Sequence, residues 1–154
     1  MKITDYLREN MVVADLKPRD KVDCLRQMIG LLVKAKAIRD EKDSLARLLE
    51  REKVVSTGIG NGIAIPHAKA AHVSSMVIAV ARVKEGLDFE ALDGRPVHVL
   101  FLLLGPPQEA GLHVKLLARI ARLIRDPAFL EQLKIADTAE KLYQVIRTED
   151  ERHP

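Results

Sequence analysis

The sequence has little of several features that proteins use for particular tasks. It contains one cysteine, Cys24, no tryptophan, and only two tyrosines and three phenylalanines. A lone cysteine cannot form an internal disulfide, which excludes a disulfide-rich secreted scaffold. No apolar run approaches the roughly 20 residues of a membrane-spanning helix. Because aromatic residues are few and the formal net charge is only +3, we predict neither membrane insertion nor nucleic-acid binding.

Length and composition are typical of one globular unit. The chain has 154 residues, of which 47% are hydrophobic and 31% charged, enough for a proper core. We predict a single domain over residues 1–154, with residues 149–154 as a flexible tail. The first residues lack the charged-then-apolar pattern of a secretory signal, which predicts a cytoplasmic protein.

Strand-like and helix-like segments alternate along the chain and predict an α/β fold. The strand candidates are residues 11–14, 63–65, 76–83 and 97–104. The last two are nearly unbroken apolar runs, which suit a sheet covered on both faces, and the turn residues between them predict that they are neighbours. The expected fold is a three-layer α/β/α arrangement, with helices on both faces of a small mixed sheet.

Apolar residues at helical spacing predict two helices early in the chain and three in its last third. Asp20 is the predicted N-cap of the first helix. The second is predicted to begin at Asp40, and Arg51 lies near its end. For the final helix, Asp137 and Glu140 have the spacing of a capping box.

The most constrained stretch is residues 56–67, STGIGNGIAIPH. Its alternate glycines predict a backbone that bends sharply or lies against another group. The stretch matches neither a P-loop nor a dinucleotide fingerprint, and Ser56 and Thr57 lack the surroundings of a nucleophile elbow. A short strand closed by proline presents His67, and residues 68–75 then read as a surface loop.

The chemistry that remains is a histidine acting as a nucleophile. The histidines lack metal-ligand spacing, so we predict no metal site. A neutral imidazole is an available nucleophile near neutral pH, and a phosphoryl group is suitable cargo. Its negative charge would need Arg, Lys, a second His or backbone N–H groups. For His67 the candidates are Arg51, Lys53, the glycine backbone and His113.

Several stretches together resemble a known family. Residues 51–53 (REK), residues 56–67, residues 89–97 (FEALDGRPV) and His113 opening an apolar helix resemble the IIA component of the bacterial phosphotransferase system. The class is the fructose/mannitol and nitrogen-regulatory type, called the EIIA type-2 domain, and the likeness covers nearly the whole chain. It implies the three-layer fold already predicted.

The resemblance also implies roles for three residues. His67 matches the phosphorylated histidine, His113 the second active-site histidine and Arg51 the active-site arginine. No cofactor or metal is implied. Ala68 stands where glycine is common in the family, a departure that leaves the nucleophile in place.

Each of these residues also has a structural interpretation. His67, after a proline at a strand end, fits an ordinary surface residue. His113 fits a hydrogen-bonded core histidine, and Arg51 fits a solvated charge that complements its helix dipole. The other polar candidates also fit turns and caps: Lys53, Ser56, Thr57 and Asn61.

The resemblance implies a histidine phosphocarrier similar to HPr as the phosphoryl donor. The receiver is either a set of regulatory targets, as for the nitrogen-regulatory type, or a IIB component, as for a stand-alone fructose/mannitol IIA subunit. The absence of a fused IIB or IIC segment favours the regulatory hypothesis, and a more distant alternative is the IIA-like domain of an anion transporter. An apolar rim for protein docking is predicted at Ile59, Ile63 and Leu112. No oligomeric state is indicated.

Overall fold

A computed structural model describes all 154 residues. The strands are β1 (Val12–Val13), β2 (Gly58–Gly60), β3 (Ile63–Ala64), β4 (His67–Lys69), β5 (Val77–Leu87) and β6 (Val97–Gly105). The helices are α1 (Lys21–Lys34), α2 (Glu41–Val54), α3 (Ala110–Leu123), α4 (Pro127–Ile135) and α5 (Ala139–Glu151). None of these helices has the length and apolar character needed to cross a membrane.

The strands form one mixed sheet in the order β1-β5-β6-β3-β2, with β4 also paired to β6. β5 and β6 run antiparallel as neighbours, as the turn residues between them predicted. β1 is parallel to β5, and β3 and β4 are parallel to β6. Both alternating faces of β5 and β6 are largely buried, so helices cover the sheet on both sides and the predicted three-layer α/β class is confirmed.

Two short strands share one edge of β6 and place His67. β3 pairs with Val99 and Leu100, and β4 pairs with β6 from Leu103 onward. Pro66 lies between them and has no N–H to donate, but its carbonyl accepts from the Leu103 amide at 2.9 Å. The chain therefore breaks and resumes along the same edge, and His67 is the first residue after the break.

The glycine stretch folds as a tight turn between β2 and β3. Gly60 and Gly62 have φ of 104° and 80°, and Asn61 between them has φ of 58°, a region that glycine and asparagine tolerate best. Gly58 is needed for another reason, since a Cβ there would lie 2.8 Å from Cα of Ala91. Both predicted uses of these glycines, bending and close approach, are confirmed.

The flexible tail predicted at residues 149–154 is wrong for its first half. Helix α5 continues to Glu151, and Glu149 and Asp150 are buried. Asp150 forms an ion pair with the buried Arg119 at 2.7 Å and accepts from the Thr4 amide at 3.0 Å. Charged residues that looked solvated are held by partners distant in sequence.

Two smaller expectations were also wrong. The N-cap of α5 is Thr138, whose hydroxyl accepts from the Lys141 amide at 3.1 Å, so no capping box begins at Asp137. The predicted surface loop at residues 68–75 begins as strand β4, and its Ala70 amide donates to the Gly105 carbonyl.

Candidate functional site

The three residues implied by the resemblance line one cleft. Arg51 comes from the last turn of α2, His67 from the start of β4 and His113 from the first turns of α3. The cleft has a volume of about 480 Å³. Its other lining residues are Arg47, Glu50, Val54, Ala68, Lys69, Val114 and Leu117.

His67 is half-buried, and its position fixes its tautomer. Its Nδ1 lies 2.8 Å from the carbonyl oxygen of Ile65, two residues earlier. A carbonyl only accepts, so Nδ1 carries the proton and donates it. The lone pair is therefore on Nε2, which is the nitrogen available to attack an electrophile.

His113 has the same side chain in a different setting. It is 3% exposed, and neither ring nitrogen has a hydrogen-bond partner. The His67 and His113 rings meet edge to face, with centroids 5.4 Å apart and planes inclined by 61°. A hydrogen-bonded core histidine was the structural alternative, but this ring lacks the partners that such a histidine has.

Both imidazoles are held neutral. Burial is the main cause that lowers the pKa of His113 to about 4, followed by the repulsion that a protonated His113 would meet from a protonated His67 and from Lys69. Burial is also the largest cause that lowers the pKa of His67, and Arg51 and Lys69 add to it, although the Ile65 carbonyl and the Glu52 carboxylate oppose them. At neutral pH the cleft thus holds one nucleophilic nitrogen and one neutral ring that can donate a hydrogen bond.

Three cationic side chains, Arg47, Arg51 and Lys69, line the same cleft, together with the carboxylate of Glu50. Arg51 donates through Nη1 to the Val55 carbonyl at 3.0 Å, which anchors one arm of the guanidinium. Arg47 lies one turn earlier on α2, and Lys69 lies two residues after His67 on β4. Sequence analysis missed Arg47 and Lys69, although helical i, i+4 and strand i, i+2 spacing would have placed them beside the chosen residues.

The weaker polar candidates lie outside this cleft. Lys53 is exposed and does not line it. The Ser56 hydroxyl donates to the Phe89 carbonyl at 2.9 Å, and the Thr57 hydroxyl donates to buried Glu52. Asn61 is part of the glycine turn. Ser56 and Thr57 therefore fix the loop through their side-chain hydrogen bonds, as the turn-and-cap interpretation proposed.

The predicted apolar rim needs correction. Ile63 is fully buried against β6 and cannot contact a partner. Ile59 is 43% exposed and Leu112 is half-buried against the core, but neither lines the cleft. The exposed apolar residues at the cleft are Val54 and Val114, and neither was chosen because single exposed valines are unremarkable in a sequence.

Comparisons with known proteins agree on one family. A family model described as "Phosphoenolpyruvate-dependent sugar phosphotransferase system, EIIA 2" matches residues 5–149. A nitrogen regulatory protein of Pseudomonas aeruginosa is 39% identical over 146 residues, which cover 95% of each chain. The fructose-specific EIIABC component of Bacillus subtilis is 34% identical over 97% of this chain, and the chain spans 24% of that protein.

A solved structure shows the same architecture. The nitrogen regulatory protein IIA-Ntr of Neisseria meningitidis superposes with a TM-score of 0.86 at 30% identity, covering 94% of this chain and 98% of the other. The similarity extends over the whole sheet and its helices and is not confined to the glycine stretch. The chain belongs to the EIIA 2 family of the phosphoenolpyruvate-dependent sugar phosphotransferase system.

Proposed function

We propose that His67 accepts a phosphoryl group from an HPr-like histidine phosphocarrier and later passes it on. Members of the EIIA 2 family are phosphotransfer components. The observation that carries this proposal is the single cleft in which a half-buried histidine, with its Nε2 lone pair free, meets a second histidine and a cluster of cations. That combination suits an incoming dianionic group.

In the proposed transfer, Nε2 of His67 attacks phosphorus in line with the bond to the donor histidine. The new N–P bond forms as the old one breaks, and the donor imidazole leaves with the electron pair. The Ile65 carbonyl accepts from Nδ1–H and stabilises positive charge that develops on the His67 ring. No proton has to leave His67 before attack, since Nε2 is already unprotonated.

The neighbouring side chains would stabilise the phosphoryl oxygens. His113 has a ring N–H without a partner, and this donor would find an acceptor in a phosphoryl oxygen. Arg51 and Lys69 would offset the added negative charge at the cleft. In this scheme His67 is the nucleophile, His113 the hydrogen-bond donor and Arg51 the charge partner.

The test is phosphorylation from radiolabelled phosphoenolpyruvate with the system's first enzyme and the HPr-like carrier. We expect label that is lost in acid and retained in base, as for phosphohistidine. His67→Ala should abolish it. His72→Ala is the matched control, because His72 is half-buried like His67 but lies outside the cleft and already contacts Ser44 and Asp43. Label that survives His67→Ala would overturn the assignment.

Regulation of other proteins is the role that we propose for the phosphorylated state. It is supported by the 39% identity, over nearly the full length of both chains, to a nitrogen regulatory protein. Transfer to a IIB component is the second candidate, supported by the 34% identity to a fructose-specific component. Adding the phosphoprotein to purified fructose or mannitol IIB separates them: rapid loss of label to IIB supports transport. Phosphorylation-dependent capture of partners with no transfer to IIB supports regulation.

A further inference from the structure

A second cleft lies farther along the sheet and has no part in the proposed transfer. Its volume is about 510 Å³. Arg82 of β5 lines it and is paired in register with Val99 of β6, whereas His67 is in register with Leu103. Four residues of strand separate these positions, which is about 13 Å. The other lining residues are Asp15, Leu16, Lys17, Pro18, Val83, Lys84, Glu85, Gly86 and Asp137.

Arg82 is a buried charge that has no carboxylate in ion-pair contact. It is 6% exposed, and its protein partners are two neutral carbonyls. Nε donates to Ala14 and Nη1 donates to Lys134, each at 3.0 Å. No carboxylate forms an ion pair with it. A guanidinium has five N–H groups, so three remain without a protein acceptor.

Arg119 provides a comparison within the same chain. It is 4% exposed, and it pairs with the fully buried Asp150 at 2.7 Å while also donating to two carbonyls. Burying a charge is costly unless a partner compensates it. Arg119 has that partner inside the protein, whereas the free side of Arg82 lines a cleft.

The rim of the cleft carries charges of both signs. Lys17 and Lys84 are exposed and form no ion pair, and Asp15 and Glu85 are exposed and also unpaired. Asp137 forms an ion pair with Lys141 at 3.1 Å, and its pKa is lowered mainly by Lys141 and also by the charge of Arg82, with which it makes no direct ion pair. The two free carboxylates disfavour a strongly anionic ligand, whereas the buried guanidinium and the two lysines favour one negatively charged group.

We propose that this cleft binds a small molecule through a single oxyanionic group, a carboxylate or a phosphate. The free N–H groups of Arg82 bind its oxygens at the base of the cleft, and Lys84 and Lys17 add attraction at the rim. The proposal does not depend on phosphorylation of His67, because the two clefts share no lining residue.

The experiment is an NMR titration of the full-length protein at constant ionic strength, with acetate, inorganic phosphate and chloride as separate probes. We expect saturable shifts of the Leu16, Arg82 and Gly86 amides with acetate or phosphate, and none with chloride. Which of the two saturates at lower concentration identifies the preferred oxyanion. Phosphate also shifts amides near His67 if it enters the other cleft, and these are separate signals.

Variants decide whether the cleft is responsible. Arg82→Gln should abolish the saturable shifts, and Lys84→Glu should weaken binding about tenfold by reversing a rim charge. Lys42→Glu, an exposed lysine on α2, makes the same charge change away from the cleft and should bind as the wild type does. If Arg82→Gln does not fold, the comparison of Lys84→Glu with Lys42→Glu still decides. The proposal would be overturned if the shifts never saturate or if Lys84→Glu and Lys42→Glu bind with equal affinity. It would also be overturned if the same shifts depend on protein concentration in the absence of any anion.

Discussion

His67 and His113 lie ring against ring, and their surroundings divide the work between them. His67 donates one nitrogen to a backbone carbonyl and keeps a lone pair on the other. His113 is almost fully buried and neither nitrogen has a partner. His67, whose N–H group is already hydrogen-bonded and whose other nitrogen has a free lone pair, is ready to attack phosphorus. His113, whose buried N–H group has no acceptor, is ready to donate to a phosphoryl group when it arrives. The same residue type therefore has two roles, set by hydrogen bonding and burial.

The largest expected effect comes from removing the donor. His113→Ala should slow phosphorylation of His67 about 100-fold, since deletion of one preorganised donor to a developing anion costs at least that much. The loss should appear in the rate at saturating carrier, because His113 lies too deep to contact a docked protein.

His113→Gln keeps an N–H group and should recover part of the rate. Label must remain on His67 in both variants, in contrast to its absence in His67→Ala. If His113→Ala is phosphorylated at the wild-type rate, the division of roles described above is wrong.

The next effect is on stability. His113 has a folded pKa of about 4, below the ordinary value, so the unfolded chain takes up its proton first as pH falls. The part of the free energy of unfolding that depends on a neutral His113 is therefore fully present above about pH 6.5 and is lost as the pH falls toward 4. Denaturant unfolding should show that wild type loses about 2 kcal/mol more than His113→Leu between pH 7 and pH 5.

His67→Leu is the comparison that sharpens this result. Its ring is only half-buried, so replacing it should change the pH dependence less. Parallel stability curves for wild type and His113→Leu would show that His113 titrates normally, and would contradict its description as an unsatisfied buried ring.

Much of this site could be predicted from the sequence because local patterns determine it. The proline before His67 ends a strand, and the glycines before it have the conformations and close contact that their spacing predicted. Helical periodicity placed His113 on a buried stripe and Arg51 at a helix end. The family resemblance then indicated that these three residues meet, which periodicity alone could not.

The features that escaped prediction depend on contacts between distant residues. Asp150 looked like part of a solvated tail, since its counter-charge Arg119 is 31 residues away. Ile63 looked available for docking, but it pairs with Val99 inside the sheet. Nothing near Arg82 in the sequence indicates that its charge is buried without a carboxylate in ion-pair contact. Partners of this kind become visible only when the sheet is assembled.

Arg51 and Arg47 allow a finer test of charge at the cleft. Both line it from α2, but Arg47 already pairs with Asp43 at 3.5 Å. Arg51→Ala should slow phosphorylation about tenfold, because a charge partner for the phosphoryl oxygens is lost. Arg47→Ala should have a smaller effect. Transfer rates measured at several salt concentrations will show whether Arg51 acts directly on the phosphoryl group or by attracting the carrier at long range. Equal rate losses in Arg51→Ala and Arg47→Ala would point to nonspecific attraction of the carrier.

The smallest expected effect concerns the exposed apolar residues at the edge of the His67 cleft. Val114 follows His113 on α3 and is 64% exposed, so Val114→Glu should raise the carrier concentration needed for half-maximal rate about threefold without slowing the saturated reaction. Ile59→Glu should have less effect, since Ile59 does not line the cleft, and Ile135→Glu on α4 is the control with equal exposure of 64%. A larger rise in that carrier concentration with Ile59→Glu than with Val114→Glu would place the docking surface at the glycine loop. The carrier would then bind to a different face from the one that donates to the phosphoryl group.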